Sequence, residues 1–96
     1  MILSIFFPKE ETFGLISQIK RAAVSVSSNI AESCSRQTKP DTIRFLYIAL
    51  GSLSEVETQL IIAQKLNYYS YDDNVVFEKI TKVKNLILGT IRFLSK

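Results

Sequence analysis

Apolar residues recur every three or four positions along three long stretches of this chain, and this spacing limits the fold more than any other feature. An α-helix completes a turn in about 3.6 residues, so such spacing places the apolar side chains on one helical face. In the first stretch, residues 12–33, that face is formed by Leu15, Ile19, Ala22, Val26 and Ile30. A helix is therefore predicted over each stretch, and the chain is predicted to be all-α.

The second stretch, residues 40–66, carries two apolar faces side by side. One face is formed by Ile43, Leu46, Leu50, Leu53 and Leu60, with Glu57 among them, and the other by Phe45, Ala49, Val56 and Ala63. Two adjacent faces predict a central helix that touches more than one neighbour. Pro40 suits the first turn of this helix, and Thr38 followed by Asp41 resembles a capping box.

The third stretch, residues 72–94, has one apolar face and a candidate N-cap at Ser70 or Asp72. The face is formed by Val76, Ile80, Val83, Ile87, Ile91 and Leu94. The connections, around residues 34–39 and 67–70, are short, and short connections make consecutive helices pack antiparallel. The predicted architecture is one domain over residues 1–96, an antiparallel up-and-down bundle with three long helices.

Catalytic and metal-binding chemistry has little material here, because the chain contains no histidine and one cysteine. This composition excludes His-based general bases, Ser–His or Cys–His pairs and clustered Cys/His zinc sites. Gly14, Gly51 and Gly89 each stand alone in a helical stretch, as is typical of close helix approach, and form no phosphate loop. Cys34 lies at the C-terminal end of the first helix, and a thiolate is favoured at the opposite, N-terminal end. Cys34 is therefore predicted to be structural. We expect a protein that is not an enzyme and has no cofactor.

Basic residues gather on the first helix and the loop after it: Lys20, Arg21, Arg36, Lys39 and Arg44. The net charge is +3. Such a cluster can contact phosphate oxygens of RNA or DNA without reading sequence, while the alternative interpretation is an ordinary solvated face. No motif that reads bases accompanies the cluster.

Two carboxylates lie within the apolar run of the central helix, Glu55 and Glu57. Glu57 stands on an apolar face, and a buried carboxylate without a partner is costly. Counting outward from the first loop places it level with residues 17–21. We therefore predict a structural ion pair in which Arg21 or Lys20 reaches Glu55 or Glu57.

The chain starts with a short apolar segment that lacks a basic n-region, and that segment is too short to span a bilayer. We expect a cytoplasmic protein that has no membrane partner.

Several blocks of the sequence resemble a known family. Residues 7–15 read FPKEETFGL, residues 17–25 read SQIKRAAVS, residues 28–32 read SNIAE, and residues 44–46 and 48–60 read RFL and IALGSLSEVETQL. These blocks resemble the bacterial four-helix-bundle family that includes proteins encoded in intervening sequences of large-subunit ribosomal RNA genes. The resemblance implies an up-and-down four-helix bundle, and its basic pattern matches Lys20, Arg21, Arg36 and Arg44.

Similar proteins also include the accessory subunits of diversity-generating retroelements, which form basic homopentamers that bind a reverse transcriptase and nucleic acid. The resemblance therefore implies a homo-oligomer, with a pentamer favoured, and a nucleic-acid or reverse-transcriptase partner.

This chain departs from the family pattern at three places. Residues 1–6 are all that stands where the family has a full first helix, Ser33 and Ser35 replace glycines, and Ser27 replaces a common proline. A bundle with a truncated first helix has an open apolar trough, so either the gene model starts late or the chain self-associates. Two functions follow as hypotheses: an oligomeric accessory protein that binds nucleic acid non-specifically, or a module that docks a protein partner in an apolar groove without nucleic acid.

Overall fold

Three α-helices make up the part of the chain that the computed structural model describes, residues 9–66 and 74–96, and that part contains no strand. Helix α1 is Lys9–Cys34, α2 is Lys39–Lys65 and α3 is Asn74–Leu94. The prediction of an all-α chain with three long helices is confirmed. Ser70 and Asp72, the predicted caps of the third helix, lie outside the described residues.

The ends of the helices differ from the predicted ones by three residues at most. Helix α1 begins at Lys9, three residues before the predicted start at Thr12. The charged residues before Thr12 are therefore part of the helix. Thr38 is the N-cap of α2, and its side chain accepts a hydrogen bond from the backbone N–H of Asp41 at 3.3 Å. The cap satisfies one of the free N–H groups of the first turn, as predicted.

Helix α2 packs against α1 on one side and against α3 on the other, while α1 and α3 have no close backbone approach. Buried residues come from both apolar faces of α2: Leu46, Leu53, Ala49, Val56 and Ala63. All of these except Ala63 belong to one core cluster with Ala22 and Val26 of α1 and with Ile80, Ile87 and Ile91 of α3. The prediction that this helix touches more than one neighbour is confirmed.

A small polar network lies between α1 and α2. The hydroxyl oxygens of Ser25 and Ser52 are 2.7 Å apart, and the Asn29 amide donates to the Ser25 carbonyl oxygen at 2.8 Å and to its hydroxyl at 3.1 Å. A hydrogen bond between helices is directional, whereas apolar contacts tolerate sliding. This network therefore fixes how far α1 can shift along α2.

The molecule is flat and exposes more surface than a compact monomer. Its Cα atoms span 50 × 24 × 14 Å with a radius of gyration of 15.8 Å, against about 12.5 Å for a compact domain of this length. The accessible surface is 6866 Å², against about 5,600 Å² for a monomer of this mass. No large side chain among the described residues is fully buried. The three helices therefore do not enclose a core on all sides.

Helix α2 is also long and apolar enough to cross a membrane, with a mean hydropathy of 1.3 over its most apolar 18 residues. A core helix with neighbours on two sides has the same composition. Length and hydropathy therefore do not distinguish these two environments for α2.

The three glycines do not mark close helix approaches, so that prediction is wrong. A Cβ atom added at Gly14, Gly51 or Gly89 would meet no atom within 4 Å. Each glycine is on an exposed helical face, where no neighbouring helix requires a small residue. Its remaining effect is the low helix propensity of glycine.

We expect Gly51→Ala to stabilise the protein by about 1 kcal/mol, because alanine lowers the entropy cost of forming the helix and its methyl group enters open space. Urea unfolding followed by circular dichroism measures the change. Gly89→Ala on α3 is the parallel test and should give a gain of similar size. A loss of stability in either variant at constant protein concentration would mean that another surface packs against that glycine.

Candidate nucleic-acid interface

The structure separates the predicted basic residues into two groups. Arg36, Lys39 and Arg44 lie around the loop between α1 and α2 and on the first turns of α2. Lys20 and Arg21 are exposed on α1, and Arg21 precedes the last residue of that helix by thirteen positions, which is about 20 Å of helix. The group at the loop is called the loop cluster below, and it includes Phe45.

The loop is closed by serine hydroxyls at the end of α1. The Ser33 hydroxyl donates to the Ile30 carbonyl at 2.6 Å, and the Ser35 hydroxyl donates to the Glu32 carbonyl at 3.0 Å. The Glu32 carbonyl is one of the last four of the helix, which have no N–H partner within it, and the Ile30 carbonyl lies just before these four. The two serines thus bond to the helix end through their side chains.

Arg36 is held in place by the end of α1 and by an aromatic ring. Its Nη2 atom lies 3.0 Å from Glu32 Oε2 and donates to the Ser35 hydroxyl at 3.1 Å, and its Nε atom donates to the Glu32 carbonyl at 3.1 Å. Its guanidinium carbon is 5.1 Å from the centre of the Phe45 ring. The side chain is 32% exposed, so it lies partly over the ring and not freely in solvent.

Arg44 contacts the same ring. Its guanidinium carbon is 4.5 Å from the centre of the Phe45 ring, and its Nε and Nη2 atoms donate to Asp41 Oδ1 at 3.1 and 3.0 Å. Residues that are adjacent on a helix do not normally face each other, so the Arg44 side chain folds back over Phe45. It remains 59% exposed. Two guanidinium groups thus share one aromatic ring, which attracts cations to its face.

The carboxylates of Glu32 and Asp41 offset part of the positive charge. With Arg36, Lys39 and Arg44 they leave the loop cluster a net charge of +1. An open polar cavity of about 360 Å³ lies beside Arg36, lined by Ser35, Arg36, Gln37, Thr38 and Asp41. The cluster therefore combines positioned guanidinium groups, polar hydrogen-bonding groups and only a weak excess of positive charge.

The predicted ion pair of Glu55 or Glu57 with Arg21 or Lys20 is not formed. Among the described side chains, the ion pairs are Arg36–Glu32 and Arg44–Asp41. Glu55 is exposed and Glu57 is half-buried. Both carboxylates are therefore close enough to solvent to need no protein cation, which removes the reason for the prediction.

An apolar groove of about 340 Å³ lies between α1 and α3, with α2 at its base. Its lining residues are Ile30, Ser33, Cys34, Thr42, Leu46, Val83, Leu86, Ile87 and Thr90. Cys34 carries a free thiol and is exposed at this groove, and its structural role stays a prediction. Leu86 is 70% exposed, which is unusual for a large apolar side chain at the edge of a groove.

Sequence reasoning does not find the role of Phe45, because apolar spacing places this residue on a core face of α2. The sequence does indicate the two ion pairs, since Glu32–Arg36 and Asp41–Arg44 have the spacings at which helical side chains form ion pairs. The approach of Arg36 to Phe45 has no such signal, because it depends on how the loop turns between two helices.

We expect Thr38→Ala to destabilise the protein by about 1 kcal/mol, because the Asp41 N–H is then deprived of its hydrogen-bond acceptor at the start of α2. Thermal or urea unfolding measures the loss of stability. Thr58→Ala, an exposed change within the same helix, is the control and should be neutral or slightly stabilising. Equal effects of the two changes would contradict the role of Thr38 as a cap.

Comparison with known proteins gives one result that bears on identity. No curated protein matches the chain. The model of the family described as 23S rRNA-intervening sequence protein matches residues 1–89, and this range includes the loop cluster and most of α3. The chain therefore belongs to the 23S rRNA-intervening sequence protein family.

Proposed function

We propose that this protein is a non-enzymatic, oligomeric accessory protein that binds nucleic acid without sequence specificity. The observation that carries the proposal is the loop cluster, in which Arg36 and Arg44 are held over Phe45 beside Lys39. Arginine recognises phosphate through a planar fork of N–H donors, and a positioned fork gives up less conformational freedom on binding. A cytoplasmic location, where RNA and DNA are accessible, is part of the proposal.

The hydrogen bonds of the two arginines support this function because they do not use all donors. Arg44 donates through Nε and Nη2, and Arg36 donates through the same two atoms. Among the described residues, no protein group bonds to either Nη1 atom. These N–H groups can donate to a phosphate oxygen while the carboxylates keep each guanidinium in place. Lys20 and Arg21, exposed on α1, would extend the contact along the strand.

The proposal includes the arrangement of the helices. We propose that the three helices run up and down as members of a four-helix bundle. The Ser25–Ser52 contact joins the middle of α1 to the middle of α2, while Ser33 and Thr42 share the groove near the loop. Both pairs suit two helices that run in opposite directions. In such a bundle, a fourth helix would cover the apolar groove between α1 and α3.

The groove also favours a second candidate function, that of a module that docks a protein partner without nucleic acid. Leu86 at the groove and Phe93 further along α3 are 70% and 68% exposed. The surface in excess of a compact monomer, about 1,300 Å², is larger than the roughly 800 Å² that each partner buries in a standard protein interface. A reverse transcriptase is one partner that the resemblance implies.

We expect the protein to bind fluorescein-labelled RNA and DNA at low salt, with an affinity that falls as salt rises. The paired change Lys39→Gln with Arg44→Gln should lower the magnitude of the slope of log K against log salt by about 0.7 to 0.9 for each phosphate interaction that it removes. Fluorescence anisotropy across a salt series measures the slope.

The control for this experiment is Lys79→Gln with Lys84→Gln, which removes the same charge from exposed positions of α3. If both pairs reduce the slope equally, the binding is a property of net charge and not of the loop cluster. Absence of binding at low salt in the unchanged protein would refute the proposed function and favour the protein-docking module.

We expect the chain to be a homo-oligomer at micromolar concentration, because association buries apolar surface at the open groove. Sedimentation equilibrium measures the mass, and a pentamer is the leading expectation from the resemblance. Leu86→Glu should shift the mass toward the 10.9 kDa of one chain, because it places a charge at the groove.

Tyr47→Glu is the matched control, since Tyr47 is 55% exposed on α2 and does not line the groove. It should leave the oligomer intact. A well-folded single species of one-chain mass for the unchanged protein, judged by circular dichroism, would rule out self-association.

A further inference from the structure

We infer that the loop cluster selects single-stranded nucleic acid over duplex, because the guanidinium of Arg44 is a stacking surface for an unpaired base. The inference rests on the proposed function and specifies its ligand. Bases in a duplex are stacked on one another and present only their edges, whereas an unpaired base can offer its face to an aromatic or guanidinium plane.

The position of Arg44 provides such a surface. Its guanidinium carbon lies over the Phe45 ring, 4.5 Å from the ring centre. The side chain is 59% exposed, so a ligand can reach it from solvent. A base that stacks there would form a layer of ring, guanidinium and base, in which each plane contacts the next.

The group is also held in place before any ligand binds. Two hydrogen bonds join Arg44 to the same Asp41 oxygen, at 3.1 and 3.0 Å. Asp41 belongs to the first turn of α2, which Thr38 caps. Because the orientation is set by these contacts, stacking a base costs little additional side-chain freedom.

The charges of the cluster point to stacking more than to phosphate attraction. Arg36 and Arg44 each have a carboxylate within 3.0 Å, and the five charged residues of the cluster sum to +1. A paired arginine contributes less to the long-range field that attracts any nucleic acid, duplex included. A carboxylate that binds the N–H groups at the edge of a guanidinium leaves the flat face of the guanidinium available for stacking.

Arg36 adds a second guanidinium group at the same ring. The two guanidinium carbons lie 5.1 and 4.5 Å from the same ring centre. Both groups therefore lie at one ring, where a single strand can contact them together. One nucleotide can stack on Arg44 while the next phosphate contacts Arg36.

The test compares a labelled single-stranded RNA of mixed sequence with the same RNA annealed to its complement, by fluorescence anisotropy at constant salt. We expect tighter binding of the single strand. Arg44→Lys keeps the charge but removes the plane, and it should weaken single-strand binding by about tenfold while duplex binding changes much less. Labelled single-stranded DNA should behave as RNA does, because stacking does not use the 2′-hydroxyl.

Arg92→Lys, an exposed arginine of α3 outside the cluster, is the matched control and should change neither affinity. Circular dichroism of both variants checks that the helices are retained. Phe45→Leu, which keeps every charge, should also reduce single-strand binding, because it removes the ring that positions both arginines.

Two results overturn the inference and separate it from the function on which it rests. Equal affinity for single strand and duplex, with equal weakening in Arg44→Lys, would leave nucleic-acid binding intact and refute stacking. No binding to either RNA form by the unchanged protein would refute the proposed function itself. Retained selectivity in Arg44→Lys would also overturn the assignment to this residue.

Discussion

The structure depends on the burial of two adjacent apolar faces of α2. One face cannot be covered by the neighbour that covers the other, so α2 requires α1 and α3 at the same time. Ala49, which has no exposed surface, and Leu53 lie where these contacts meet. Each large apolar residue removed from water there stabilises the fold by roughly 1.5 to 3 kcal/mol. Without either neighbour, one of the two apolar faces of α2 would be exposed to water.

The same arrangement creates the groove. Both α1 and α3 pack on α2, and their described residues have no close backbone approach to each other. A gap therefore remains between them, and Ile30, Val83 and Leu86 line it. A three-helix layer has a small interior, which explains why no large described side chain is fully buried. The polar contact of Ser25 with Ser52 sets the register of α1 on α2. The groove and the exposed surface are therefore consequences of packing, and they make association with another surface favourable.

The loop cluster depends on the α1–α2 hairpin in a different way. Arg36 follows α1, and Arg44 and Phe45 belong to α2, so their contact requires the turn between these helices. Ser33 and Ser35 close the end of α1, and Thr38 caps the start of α2. These local hydrogen bonds hold the loop that brings Arg36 to the Phe45 ring. The loop cluster thus depends on contacts at the ends of α1 and α2, whereas the groove depends on how the faces of the helices pack.

The sequence by itself determined the three helices, the cap at Thr38 and the central place of α2, because spacing and capping are local properties of the chain. The sequence also indicated the family to which the chain belongs. Tertiary structure alone decided that Arg36 and Arg44 share Phe45, that Arg21 stays far from them, and that Gly51 faces open space. It also placed Cys34 at a groove and kept Glu57 away from any described cation. These features depend on the rotation of each helix about its axis and on the path of the loop, and apolar spacing constrains both only to within a face.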